Sequence, residues 1–272
     1  MALQIASLNS GSNGNCYYIG NNTEAVLIDA GISCRETEKR MKQLGLSPKK
    51  LMAIFVSHEH GDHIKGVTGL ANKYSLPVYI TAATAKNGPR LIRHLSRTFI
   101  ADEPVVVGSL SITAFAKHHD AADPHSFIIE HNNVRAGVFT DIGYVCDNLI
   151  HYFKQCHAAF LESNYDETML ENGSYPHVLK NRIRGGKGHL SNKQALELFI
   201  NHRSPSMSHL LLSHLSKENN TPELASTLFN QYAEGVSIMV APRYGPSPLI
   251  NVGAANKNMA ALAKPVQLGL FL

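Results

Sequence analysis

The run His58-Glu59-His60-Gly61-Asp62-His63 packs four side chains of metal-ligating type, His58, His60, Asp62 and His63, into six residues. It directly follows the apolar stretch Met52-Ala53-Ile54-Phe55-Val56, so the cluster meets the end of a buried strand, where loops carry function. Imidazole and carboxylate donors suit zinc and similar divalent ions. His58 and His60 are two apart and point the same way from an extended segment, which leaves Asp62 and His63 to turn toward a second ion. One ion takes three or four protein ligands, so four this close together point to a shared, two-metal site. Two ions roughly 3.5–4 Å apart lower the pKa of a shared water from about 15.7 to about 7 and clamp the oxygens of a displaced phosphoryl group. Phosphodiesters use both services. Thioesters and lactams use the first alone, with an oxyanion stabiliser.

The elements that must position this cluster are legible around it. Residues 3–8, 16–19 and 25–28 are β-like runs rich in Ile, Val, Leu and Tyr, and the Gly/Ser/Asn stretch 9–15 between the first two is a turn-rich loop. Ser33 with Glu36 reads as a capping box, and Cys34, Thr37, Met41 and Leu44 follow helical spacing to a stop at Gly45. A strand delivers His58, and one helix through Ile64, Val67, Leu70 and Tyr74 is expected after the histidines. Residues 105–139 read as strand and turn. Residues 158–161 and 209–212 are strand-like, Ser191 with Gln194 caps a helix, and Thr221-Pro222 starts another. Strands interleaved with amphipathic helices argue α/β layers. Val26-Leu27-Ile28-Asp29-Ala30-Gly31 also echoes Val138-Phe139-Thr140-Asp141-Ile142-Gly143, and Ile54-Phe55-Val56-Ser57-His58 echoes Leu210-Leu211-Leu212-Ser213-His214. Two similar halves would put both sets of polar residues at one shared edge.

A chain of 272 residues, 44% hydrophobic and 17% charged, can bury a sizeable core as one large domain or two small ones. A net charge of +4 permits an anionic substrate without demanding one. Cys16, Cys34, Cys146 and Cys156 form no CxxC pair, and Cys16 is expected to be a small buried hydrophobe. No signal peptide is read at the N-terminus, and no apolar run nears the roughly 18 residues that cross a bilayer, so reduced cysteines and a cytoplasmic location are expected. Residues 1–250 read as the catalytic domain and 251–264, rich in Ala, Asn and Lys, as a linker, before the chain turns sharply apolar over 265–272.

His58-x-His60-x-Asp62-His63 resembles the HxHxDH signature of the metallo-β-lactamase fold, an αβ/βα four-layer sandwich. Asp29, His119 in Lys117-His118-His119-Asp120-Ala121, Asp141 and His214 match further motifs of that fold in order. The resemblance implies that His58, His60 and His119 hold one ion, that Asp62, His63 and His214 hold the other, and that Asp141 bridges them. Asp29 would orient a ligand loop rather than bind metal. His118 is the rival of His119. His189, in Gly188-His189-Leu190-Ser191, resembles the proton-donating histidine of ribonuclease Z-like phosphodiesterases, which a leaving alkoxide needs. Asp62 would accept a proton from the attacking water while remaining a ligand.

Residues 10–16, 119–124, 162–166, 188–192 and 214–222 together are similar to the YycJ/WalJ-type subfamily, over roughly residues 1–250. That resemblance implies a 5′-to-3′ DNA exonuclease of mismatch repair with two divalent ions, zinc or manganese, per chain. Ser10, Ser12 and Asn13 are expected to hold phosphate oxygens, and Arg182, Arg184 and Lys187 to draw in the nucleic-acid backbone. Tyr165 is expected in the core rather than stacked on a base. The tail Gln267-Leu268-Gly269-Leu270-Phe271 resembles the Gln-Leu-x-Leu-Phe peptide by which bacterial repair proteins bind the sliding clamp, with Gln267, Leu268, Leu270 and Phe271 as contacts. The competing readings are an RNA-processing nuclease, a thioester or other small-molecule hydrolase, and a non-catalytic metal-stabilised scaffold.

Overall fold

The structure, a computed structural model, describes residues 2–253. The expected contacts of Gln267, Leu268, Leu270 and Phe271, and most of the expected linker, lie outside the described residues. Chain order runs β1 (Leu3–Asn9), β2 (Cys16–Gly20), β3 (Ala25–Ile28), α1 (Cys34–Gln43), β4 (Leu51–Phe55), α2 (Gly61–Ile64), α3 (Val67–Tyr74), β5 (Val78–Tyr79), α4 (Ala82–Asn87) and β6 (Ser96–Arg97). It continues through β7 (Pro104–Val107), β8 (Leu110–Ala116), β9 (His125–His131), β10 (Val134–Phe139), α5 (Asp147–Phe153), β11 (Ala158–Glu162), α6 (Glu167–Asn172) and α7 (His177–Arg184). Last come α8 (Asn192–His202), β12 (His209–Ser213), α9 (Pro222–Asn230), β13 (Ser237–Val240) and β14 (Ile250–Val252).

The strands form two seven-stranded sheets, ordered β14-β1-β2-β3-β4-β5-β6 and β13-β12-β11-β10-β9-β8-β7. Side-chain alternation explains how they pack. Val26 and Ile28 of β3 point into a core shared by both sheets, with Tyr17, Phe55, Phe127, Val138, Phe160 and Leu211. Ala25 and Leu27 point the other way, onto Met41 of α1 and Val67 and Leu70 of α3. Leu161 and Leu212 of the second sheet likewise meet Leu149 of α5, Phe199 of α8 and Phe229 of α9. Three apolar layers between four layers of secondary structure make the αβ/βα sandwich. Strands covered on both faces read as continuous apolar runs rather than alternating ones, as Ala158-Ala159-Phe160-Leu161 does, every residue of it buried.

The two sheets repeat one plan. In each, the fourth strand (β3, β10) runs antiparallel to its neighbour on one side and parallel to the next on the other. Both are followed by an aspartate with positive φ, Asp29 at 58° and Asp141 at 55°. That echo in the sequence is therefore structural. The echo between His58 and His214 is not: by position in its sheet β4 corresponds to β11, whereas His214 follows β12, the counterpart of β5. Short apolar strands ending in Ser-His resemble each other for reasons of burial alone.

Local chemistry set most element ends. Ser33 accepts from Glu36 N–H at the start of α1, Ser191 and Gln194 form the full capping box of α8, and Thr221 caps α9 with Pro222 in its first turn. The single helix expected after the histidines is two, because α2 ends at Ile64 and Gly66 N–H bonds to Ala30 O. The expected linker begins inside the fold: Asn251 lies in β14, which pairs with β1. Cys16 is buried as expected.

Phe160, fully buried and 4.8 Å from the Tyr17 ring, anchors the central core. Phe160→Ala is expected to cost about 3–5 kcal/mol of unfolding free energy, read as a shift of the denaturant midpoint; a shift worth under about 1 kcal/mol would show that the core collapses around the cavity.

Candidate metal centre and active site

The polar residues gather where both sheets present the ends of their parallel strands. His125 N–H donates to Ser57 O at 3.0 Å, joining the end of β4 to the start of β9. Glu59 accepts from Ala122 N–H at 2.8 Å and ties the histidine run to the loop that carries His119. Gly31 admits the run's second half: a β-carbon there would lie 1.7 Å from Asp62 O, which instead accepts from Asn15 N–H.

Five of the six imidazoles are held from behind; the sixth, His60, turns its Nδ1 to His58 Nε2 at 3.0 Å. Asp29 accepts from His63 Nδ1 at 2.7 Å and from both the N–H and the hydroxyl of Ser57, and Ser57 Oγ in turn takes His58 Nδ1 at 2.9 Å. His119 Nδ1 donates to Gly188 O at 3.0 Å. Glu162 Oε1 accepts from His214 Nδ1 at 2.9 Å and from His189 Nδ1 at 2.8 Å, while its other oxygen takes the N–H groups of Ile142 and Leu190. The remaining ring nitrogens face inward. His58, His60 and His119 form one trio with ligand atoms within 4.8 Å of one another, and Asp62, His63 and His214 form a second. Asp141 lies between them, 3.0 Å from His63 Nε2 and 3.7 Å from His119 Nε2.

Burial and charge act on these groups in opposite senses. Burial above all holds His58 well below its ordinary value and takes His119 down to about 4, so both are neutral. Burial also opposes charge on His63 and His214, but Asp141, Asp29 and Asp62 carry His63 well above its usual range, and Asp141, Asp62 and Glu162 raise His214 to about 10. Burial would raise Glu162, yet His189 and His214 bring it to about 2. The centre is a field that favours cations, and protons compete with metal ions for its nitrogens.

Whether these residues fit a divalent ion is answered by their unpaired atoms. His119 Nε2, His214 Nε2 and Asp141 Oδ2 are buried without a hydrogen-bond partner. Such orphans are costly, and here all three are donors of the hard and borderline type that zinc and manganese accept. Backbone strain marks the same place: Asp29, Asp141 and His214 all adopt left-handed φ, 55° to 58°.

The other expected residues divide. Ser12, Arg182 and His189 line a cavity of about 170 Å³ together with His60, Asp62, His119, Asp141 and His214. Ser10 does not face it. Its hydroxyl accepts from His214 N–H at 2.7 Å and is bonded to Tyr17, so it braces the His214 turn instead of meeting phosphate. Asn13 is engaged by Arg243, through its amide and its carbonyl. Arg182 is gripped by Asp120 at 2.5 Å and Arg184 by Glu171 at 2.8 Å; Lys187 is exposed. His118 turns to the rim and stacks on Tyr144, leaving the inward position to His119. Lys117 is buried and donates to Thr140 O, bracing the approach to Asp141. Tyr165 is in the core.

Sequence reasoning missed Glu162 as a site residue, as well as Ser57 and Arg243. Glu162 had two signals, a lone carboxylate ending a wholly buried strand and its place in the stretch 162–166 that shares the subfamily resemblance. Arg243, which reaches Ser12, Asn13 and Leu215 O from beyond β13, had none.

Residues 24–214 match the model of the beta-lactamase superfamily domain. The chain belongs to that superfamily. It is a metal-dependent hydrolase of the metallo-β-lactamase fold, with a His/Asp cluster suited to divalent metal. It is 37% identical over 238 residues to Exodeoxyribonuclease YycJ of Bacillus anthracis, covering 86% of this chain and 90% of that protein. Exodeoxyribonuclease WalJ of Streptococcus pneumoniae is 33% identical over 241 residues, with the same coverage. The crystal structure of the metallo-beta-lactamase fold protein YhfI from Bacillus subtilis superposes with a TM-score of 0.70 at 16% identity, over 91% of this chain and 99% of that one. Among the described residues no helix is long and apolar enough to cross a membrane.

Glu162→Gln would set an amide against two histidines and two backbone donors. It is expected to weaken metal affinity about 10–100-fold, measured by titrating metal into the stripped protein against a chelating indicator. Unchanged affinity would mean that the imidazoles orient themselves.

Proposed function

We propose that this hydrolase is a two-metal phosphodiesterase, a 5′-to-3′ DNA exonuclease acting in mismatch repair in the cytoplasm with two zinc or manganese ions. The observation that carries the reading is His189. It stands on the wall of the cavity outside both trios, in a further cluster with Asp141, Glu162 and His214, and Glu162 takes its Nδ1, which leaves Nε2 free to serve as a donor. An acid so placed serves a leaving alkoxide, which phosphodiester cleavage produces. The extended likeness to two proteins named exodeoxyribonucleases favours DNA over RNA; the likeness to Ribonuclease Z of Streptomyces coelicolor covers only 38% of the chain.

In this reading His58, His60 and His119 would hold one ion, Asp62, His63 and His214 would hold the other, and Asp141 stands between the two sets. When bound, the ions supply positive charge to the phosphoryl oxygens and acidify the attacking water. Asp62 accepts that water's proton. His189, kept in one orientation by Glu162, gives a proton from Nε2 to the departing oxygen. Ser12, on the cavity wall, would bond a non-bridging oxygen.

The test is degradation of end-labelled duplex DNA by metal-loaded protein, with single-stranded DNA and RNA in parallel and Asp62→Ala as the inactive control. Loss of label from the 5′ end supports the reading; RNA cleavage alone, or no cleavage, overturns it. His189→Ala is expected to keep both ions and slow turnover about 10²–10⁴-fold. Loss of metal from that variant would make His189 a ligand.

The tail is proposed to bind the bacterial sliding clamp, on the strength of its sequence. Deleting residues 267–272 should abolish clamp binding in a pull-down with purified clamp and spare DNA degradation.

A further inference from the structure

Between His63 and Ala101 the chain carries six cationic side chains, Lys65, Lys73, Lys86, Arg90, Arg93 and Arg97, and no aspartate or glutamate. The whole protein has 25 Lys and Arg against 21 Asp and Glu; without those six it would have 19 against 21. The positive balance of the molecule therefore resides in this one segment.

The fold wraps the segment along the rim of the centre on the side of the first sheet. Lys65 is two residues past His63, and its N–H bonds to Gly61 O. Thr84 of α4 donates to Asp123 O at 3.3 Å, in the loop that carries His119. Thr68, in the first turn of α3, donates to Arg90 O at 3.1 Å. These contacts tie Lys65 to the turn that carries His63 and α4, with Lys86, to the loop that carries His119, and they seat Arg90, three residues before Arg93, on the first turn of α3. Lys73 is the member turned away, paired with Glu38 at 2.6 Å, and Arg97 caps its own turn through His94 O and Ser96 O. Lys65, Lys86, Arg90 and Arg93 are all exposed, and none has a carboxylate within ion-pair distance among the described residues.

The contrast with the opposite rim is direct. There Arg182 and Arg184 are already neutralised by Asp120 and Glu171, which leaves Lys187 as the one unpaired cation of the three among the described residues. Exposed like charges without counter-charges repel one another, and they gain most from a ligand with regularly spaced anions. A nucleic-acid strand offers one phosphate per ~3.4 Å.

We infer that Lys65, Lys86, Arg90 and Arg93 form the track along which the phosphodiester backbone of duplex DNA leaves the centre. The inference rests on the nuclease reading above. It makes this rim, and not the one formed by residues 182–187, the one that sets affinity for long substrates and its salt dependence.

The experiment follows binding of a short fluorescent duplex, its terminal linkages replaced by phosphorothioates so that it is held without being consumed, to the metal-loaded full chain. Anisotropy is recorded between about 50 and 200 mM salt. In the triple variant Lys86→Ala, Arg90→Ala, Arg93→Ala, affinity should fall about tenfold or more, and the log–log salt slope should lose about 0.9 for each phosphate contact removed. Arg90→Lys with Arg93→Lys should restore slope and affinity, which separates charge from damage to the fold. Triple-variant binding with the wild-type slope, in a protein that degrades ordinary DNA, would overturn the track alone. Wild-type protein that neither binds nor degrades DNA would overturn the track and the nuclease reading together.

Discussion

The centre depends on two buried carboxylates, Asp29 and Glu162, that hold the outer nitrogens of its imidazoles. A buried imidazole with one nitrogen unpaired rotates or protonates unless its other nitrogen is held. Asp29 holds His63 directly and His58 through Ser57, and Glu162 holds His214 and His189 at once. Both carboxylates are fully buried, a position that charged groups occupy only when fully hydrogen-bonded. Asp29 meets that condition with Ser57 and His63, Glu162 with two histidines and two backbone N–H groups. Remove one, and several inward-facing nitrogens lose their orientation together.

The repeat of plan between the sheets explains why such groups meet. Parallel strands of both halves end at the same edge, so a loop leaving β4 and a loop leaving β12 converge without any long excursion. The three left-handed residues, Asp29, Asp141 and His214, turn the chain sharply at that edge. The strain, on the order of 1–3 kcal/mol each, is tolerated because three apolar cores fix the strands behind it.

Much of this was legible along the chain, because it is written locally. The histidine run lies within six residues, the strands are uninterrupted apolar stretches, and Ser191-x-x-Gln194 and Thr221-Pro222 announce their helices. What was not legible is set by contacts between distant residues. Glu162 meets partners 27 and 52 positions away, and Ser10 meets His214 across 204. A serine in a Gly/Ser/Asn loop looks like a phosphate cradle until its hydroxyl is seen to be spoken for. Arg182 and Arg184 looked like free cations because their counter-charges, Asp120 and Glu171, come from separate loops and helices.

The closing strand carries a consequence for synthesis. β14 borders β1, with Leu3 opposite Val252, and Ser247 bonds to the backbone of Ser7. β1 must therefore wait for β14, more than 240 residues later in the chain, before the sheet has its outer strand. Until then the growing chain presents β1 as a bare hydrogen-bonding edge, the kind of edge that recruits foreign strands. A slow ribosome would lengthen that interval, and chaperone demand for this protein should rise with translation time rather than with its final stability.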